Sequence, residues 1–166
     1  LRSASLDNRG GAVRANRDVN LQVGQLDNRA GVLNSKQALT ITGQSLNNGN
    51  GLASAIGPVR LTVDSVDNAK GRIASQDDLN ATLGVLNQQG GQLVAQGDLT
   101  LKAESVDNRD GGLLAATKAL KLTIDTVDNR SGEISSQQAT TLSGVHLDNS
   151  GGKLLAGTAL ELSMVE

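Results

Sequence analysis

Leu6-Asp7-Asn8-Arg9-Gly10-Gly11 comes back in recognisable form at Leu26 (LDNRAG), Leu46 (LNNGNG), Val66 (VDNAKG), Leu86 (LNQQGG), Val106 (VDNRDGG), Val127 (VDNRSG) and Leu147 (LDNSGG). Six of the seven spacings are 20 residues and one is 21, the extra residue falling in Asp110-Gly111-Gly112. Self-similarity at a fixed period of this size marks a solenoid, in which each unit is one coil and touches only its neighbours.

Counting each unit from its Leu or Val as position one, position eight is Val13, Leu33, Ala53, Ile73, Leu93, Leu114, Ile134 and Leu154, and position ten is always Ala or Ser. Two such residues, two apart, share one side of a strand. Positions fourteen, sixteen and eighteen are mostly Leu, Val or Ile, with polar residues between them, which predicts a second, longer half-buried strand. A third short segment is expected around position one, with breaks at the Gly-rich positions four to six and at the corner of positions eleven to thirteen. Pairing each strand with its counterpart one coil away gives an all-β fold. It reads as a right-handed parallel β-helix of about eight coils, forming a rod of roughly 40 Å. The rival is a leucine-rich repeat, which would need helix on its convex side.

Three columns stand out within the units. Position three is Asn8, Asn28, Asn48, Asn68, Asn108, Asn129 and Asn149, with Gln88 in the fifth unit, and stacked amides predict a ladder of hydrogen bonds along the rod. Position six is Gly in every unit, from Gly11 to Gly152. This implies either a positive φ or backbone packed too closely for a side chain. Position two stacks Asp7, Asp27, Asp67, Asp107, Asp128 and Asp148, partly answered by Arg9, Arg29, Arg109 and Arg130 two residues on. Exposed pairs of this kind contribute little, so solubility and register are their first roles. The third unit, with Asn47-Asn48-Gly49-Asn50-Gly51, Ala53 and Gly57-Pro58, departs most and predicts locally weaker packing.

Composition narrows the function. The chain has 166 residues, no Phe, Tyr, Trp or Cys, and one Met. A core of Leu, Val, Ile and Ala suits many thin identical layers, and the stacking platforms for bases and sugars are missing. A net charge of -2 with both signs interspersed argues against nucleic acid as a partner. No apolar run reaches the roughly 18 residues of a bilayer span. Leu1 to Ser5 fill the last five positions of a unit and Glu166 closes the eighth, so residues 1–166 read as a single β-helical segment of a longer filament.

Little points to catalysis. His146 is the only histidine and sits at a coil corner without Cys or His neighbours, which reads as a surface residue rather than a metal ligand. Asp77, Asp78 and Asp98 fall at the corner positions of adjacent coils. Asp78 and Asp98 are expected roughly 5 Å apart, a spacing seen for the paired carboxyls of retaining glycosidases. With no sugar platform beside them, they read as solvated turn acids. The Asp/Asn/Gly turns lack the nine-residue period of calcium-binding repeats, and the Gly pairs lack the Lys-Ser/Thr of a phosphate loop. The sequence thus predicts no enzyme, no catalytic residue, no cofactor and no metal site.

The unit L-D-N-x-x-G-x-[LIV]-x-[AS]-x-x-x-L-x-[LIV] closely resembles the repeats of the filamentous haemagglutinin family, and the likeness runs through all eight units. These are very large exoproteins of Gram-negative two-partner secretion, including adhesins and the stick-like effectors of contact-dependent growth inhibition. The resemblance implies a secreted, extracellular or cell-surface β-helical filament, a dedicated outer-membrane transporter as partner, and in some members a target-cell receptor. It places this stretch in the shaft, since the Asn-Pro motifs of the secretion domain and the Val-Glu-Asn-Asn boundary before a toxin are absent. The runner-up is a receptor- or glycan-binding module on the coil surface, and a polysaccharide-cleaving β-helix comes last. Open strand edges at the rod ends are expected to self-associate.

Overall fold

A computed structural model describes residues 1–165. Every described residue lies in a strand, a turn or a connection, and no helix occurs among them, which removes the leucine-rich repeat. Four-residue strands such as Val32–Ser35, Leu52–Ala55 and Arg72–Ser75 alternate with nine-residue strands such as Val19–Asp27, Leu39–Asn47 and Val59–Asp67. Among the described residues the long strands stack into one sheet of ten strands and the short ones into a second of eight. All pairings are parallel and join equivalent positions of successive coils, as in Leu33↔Ala53↔Ile73 and Leu39↔Val59↔Leu79.

The two sheets close over a core built one layer per coil. In coil two that layer is Leu26, Leu33, Leu39 and Ile41, all essentially buried, and coil six repeats it with Val106, Leu114, Leu120 and Leu122. The expected alternation holds along positions fourteen to eighteen and then slips. Positions nineteen and twenty, such as Asp64 and Ser65, are both exposed before Val66 returns to the core. The strand therefore bends onto a third face without ending. The separate short segment expected around position one is instead continuous with the long strand, except where Thr140–Gly144 and His146–Asp148 are distinct.

Of the two readings of position six, crowding is the one that holds. Positive φ falls instead at position five, in Gly10, Ala30, Asn50, Lys70, Gly90, Asp110, Ser131 and Gly151. Position six is glycine because of crowding, since a methyl built on Gly31 would run into the Asn8 carbonyl oxygen of the preceding coil and lie 2.7 Å from Asn28 Oδ1. The twenty-first residue of the long unit is absorbed beside it. Asp110 and Gly111 are both left-handed, at φ 56° and 82°, and a methyl on Gly111 would meet nothing within 4 Å, so the bulge points into open space.

The third coil is not the weak one. Ala53, Ala55 and Val59 are buried and the register runs through it unbroken. Pro58 fits its place at position thirteen. In coil two, the N–H of Ala38 at the same position donates to Asp18 Oδ1 at 3.0 Å. Ala38 itself has no side-chain acceptor to offer the coil above, and that coil presents proline, which has no N–H to satisfy.

Candidate functional site

The DN stretch makes two hydrogen-bonded devices. At position two the side-chain Oδ1 accepts the backbone N–H of position four in every coil: from Arg9 to Asp7 at 3.1 Å, Gly49 to Asn47 at 3.0 Å, Gln89 to Asn87 at 3.2 Å and Ser150 to Asp148 at 3.0 Å, for example. Asp and Asn are interchangeable here because both carry that oxygen. Where position four is Arg, its guanidinium folds back on the same carboxylate, at 2.6 Å for Arg9 on Asp7, Arg29 on Asp27 and Arg130 on Asp128, and 2.7 Å for Arg109 on Asp107. The side-chain hydrogen bond from Arg9, helped by its backbone N–H, lowers the Asp7 carboxyl to about 2. Asp27, Asp107 and Asp128 are lowered for the same first cause, each by its own arginine. Longer links of 3.5 to 3.8 Å reach the next coil, from Arg9 to Asp27, Arg109 to Asp128 and Arg130 to Asp148. The charged column is thus two short networks, one towards each end of the rod, with Asn47, Asp67 and Asn87 between them.

At position three the predicted ladder is present but not continuous. Asn8 Nδ2 donates to Asn28 Oδ1 at 2.7 Å, Asn28 to Asn48 at 2.7 Å, Asn48 to Asn68 at 2.8 Å and Asn68 to Gln88 Oε1 at 2.8 Å. Asn108 donates to Asn129 at 2.7 Å and Asn129 to Asn149 at 2.6 Å. Between the two runs Gln88 gives its amide to the Leu113 carbonyl at 3.1 Å. Asn108 Oδ1 is left as the one buried side-chain polar atom without a partner among the described residues. The extra methylene of Gln88 moves its amide out of phase with the column.

The corner acids are occupied by the backbone. Asp78 Oδ1 accepts the N–H of Asp98 at 2.8 Å, and Asp98 Oδ1 accepts the N–H of Ala119 at 3.0 Å. Each carboxylate ties its own coil to the next, as Asp18 does with Ala38, rather than facing a substrate cleft. Asp77 is exposed beside them, its N–H held by Ser75 Oγ at 3.0 Å. His146 is exposed at the start of its strand, opposite Thr126. Among the described residues no three His, Cys, Asp or Glu side chains converge where they could hold a metal.

The feature that sequence reasoning missed is a groove of about 630 Å³ on the outer face of the eight-stranded sheet. Its floor is the outward column at position nine: Asn34, Ser54, Ala74, Val94, Ala115 and Ser135. These side chains are small, while positions seven and eleven on either side carry Leu52, Arg72, Ile56, Gln76, Gln96 and Gln137. The groove therefore follows the rod axis across successive coils. The signal was available as a column of small residues on a solvent face.

The stacked columns and the twenty-residue coil have a counterpart among known families. The haemagglutinin repeat family model matches residues 2–65, 54–123 and 115–163, which together span nearly the whole chain. The chain belongs to the haemagglutinin repeat family. No curated protein and no solved structure matches it. Within this haemagglutinin repeat the position-two acceptor, the position-three amide and the position-six glycine form one turn, in which the acceptor closes the corner within the coil while the amide and the glycine fit coil to coil. The family is an adhesin-type structural repeat, typical of secreted or surface exoproteins, and the coil stack fits the shaft of a filamentous adhesin.

Proposed function

We propose that this chain is a structural shaft segment of a large secreted filamentous exoprotein of a Gram-negative bacterium. In this reading it is exported by a dedicated outer-membrane transporter and holds adhesive, receptor-binding or toxin regions away from the cell. The observation that carries the reading is the use of the repeated polar columns to build and join coils. The Asn ladder and the corner acids spend their hydrogen bonds on the neighbouring coil, and the Asx turns close the corner within each coil. Nothing in such an assembly turns over a substrate, while each coil adds about 4.8 Å of reach.

Removing residues 66–105 from the parent protein deletes two whole units in phase. The shaft reading expects export and target-cell attachment to survive, with reach shortened by about 10 Å. Attachment lost while the shortened protein is still exported and folded would move the function onto these coils. That second reading, a receptor- or glycan-binding surface, is favoured by one observation, the axial groove. Saturable binding of the labelled chain to target cells, abolished by filling the groove with Ala115→Arg, would support it.

A further inference from the structure

The face that carries the groove has a charge pattern that selects an occupant. We propose that the outer face of the eight-stranded sheet is a dimer interface, filled by a second copy of this chain lying antiparallel to the first. Arg72 and Glu133 both stand at position seven of that face, three coils apart; Arg72 lines the groove, and Glu133 lies outside its lining, next to Lys153 of the following coil. Neither forms an ion pair among the described residues: the Arg72 guanidinium is held by the Gln92 side-chain oxygen, and Glu133 Oε1 accepts only from Ser135 Oγ at 2.9 Å.

A two-fold axis along the strand direction reverses coil order and keeps each position opposite its own kind. Placed between the coils of Val94 and Ala115, it sets Arg72 opposite the partner's Glu133 and Glu133 opposite the partner's Arg72. Both unpaired charges are answered at once. Sizes match in the same register. Leu155, 49% exposed, faces the partner's Ser54; Ile56, 50% exposed, faces the partner's Gly157; Val94 faces the partner's Ala115. Gln76 meets the partner's Gln137, and the stem of Lys153 lies on the partner's Leu52. The alternative two-fold, along the rod, puts position seven against position eleven of the same coil. Arg72 and Glu133 would then face the partner's Gln76 and Gln137, and Leu155 would meet its own copy.

Six coils at about 4.8 Å and five residues at about 3.3 Å cover roughly 450 Å² per copy, or about 900 Å² in total. That is below the usual size for a permanent interface and suits a weak, reversible dimer. The pairing stands on this face and its charges alone and holds whether or not the chain serves as a shaft.

The test is sedimentation equilibrium of the 166-residue chain carrying Arg72→Glu, Glu133→Arg, or neither. The unmodified chain should show a monomer–dimer equilibrium. Either substitution opposes like charges twice and should weaken it about a hundredfold or more. An equimolar mixture of the two variants should restore the dimer, because one partner then carries two acids and the other two arginines at the facing sites. Arg60→Glu, on the other sheet, should change nothing. A chain that stays monomeric to its solubility limit overturns the proposal. So does association that ignores both substitutions, which would be the mark of end-to-end stacking.

Discussion

Asn108 carries a buried oxygen with nothing to accept, directly above the one coil where the amide column holds Gln88. Replacing Gln88 with Asn shortens the side chain by the methylene that puts it out of phase, and lets its amide reach Asn108 Oδ1. We expect Gln88→Asn to raise stability by about 1 kcal/mol, read as a higher urea midpoint at unchanged slope. A lower midpoint would show that the donation to Leu113 matters more than the ladder. Asn48→Ala should act in the opposite sense, leaving the Asn28 amide and the Asn68 oxygen short of a partner at a cost of about 2 to 4 kcal/mol. Glycine at position six is equally unforgiving. Gly51→Ala drives a methyl into the Asn28 carbonyl oxygen and should cost about 2 kcal/mol or more, whereas at Gly111 the space is open and it is the left-handed φ of 82° that opposes a side chain. The ladder was legible because identical residues recur at the coil period. Its break was not, since Gln88 carries the same functional group and only the geometry shows the wrong length. The left-handed residue was hidden too, because Ala30 and Lys70 occupy it without the glycine that normally announces it.

Each coil is sewn to the next by side chains at two turns, and these elements respond differently to chemistry. At the corner, Asp78 serves through one oxygen. Asp78→Asn keeps that acceptor and should be nearly neutral, while Asp78→Ala should cost about 1 kcal/mol by freeing the Asp98 N–H. A carboxylate needed for its charge or its proton would not tolerate Asn. At the DN turn, the carboxyl groups are lowered by arginine. Their contribution is therefore complete above the ordinary Asp value near about 4 and fades as pH falls towards the folded value, about 2 for Asp7. Thermal unfolding should accordingly be flat from neutrality down to about pH 4 and weaken below it. The combined variant Arg9→Gln, Arg29→Gln, Arg109→Gln and Arg130→Gln should remove most of that acid slope. An unchanged slope would assign it to acids elsewhere in the chain. The two main strands were readable from alternation of residue size. Their bend at positions nineteen and twenty was not, because two outward polar residues in a row look like the end of a strand.

For the whole molecule, stability is shared between neighbouring coils rather than held at a centre. Hydrogen exchange should be slowest in the middle coils, around Leu79, Leu99 and Leu101, and fastest in the first and last. There Leu160 and Leu162 occupy core positions yet remain about half exposed. Uniform protection from end to end would mean that the rod melts as a single unit. The solenoid followed from period alone, since eight in-phase copies leave few other folds open, while the likeness to the haemagglutinin repeat family lay in the residues of the motif. The groove did not, because such a surface is defined by what its floor lacks, and a column of small residues, some polar and some apolar, on a solvent face attracts no notice in a sequence.

The backbone hydrogen bonds between coils, such as Asn28 to Asn47 at 2.7 Å, run along the length of the rod. A pull applied at the two ends therefore loads them one coil at a time instead of shearing a whole sheet. Each coil that lets go gives up about 5 Å of rod and releases 20 residues of slack, about 70 Å of tether. Under tension such a rod would lengthen in steps and rewind when slack returns, limiting the force passed from one end to the other.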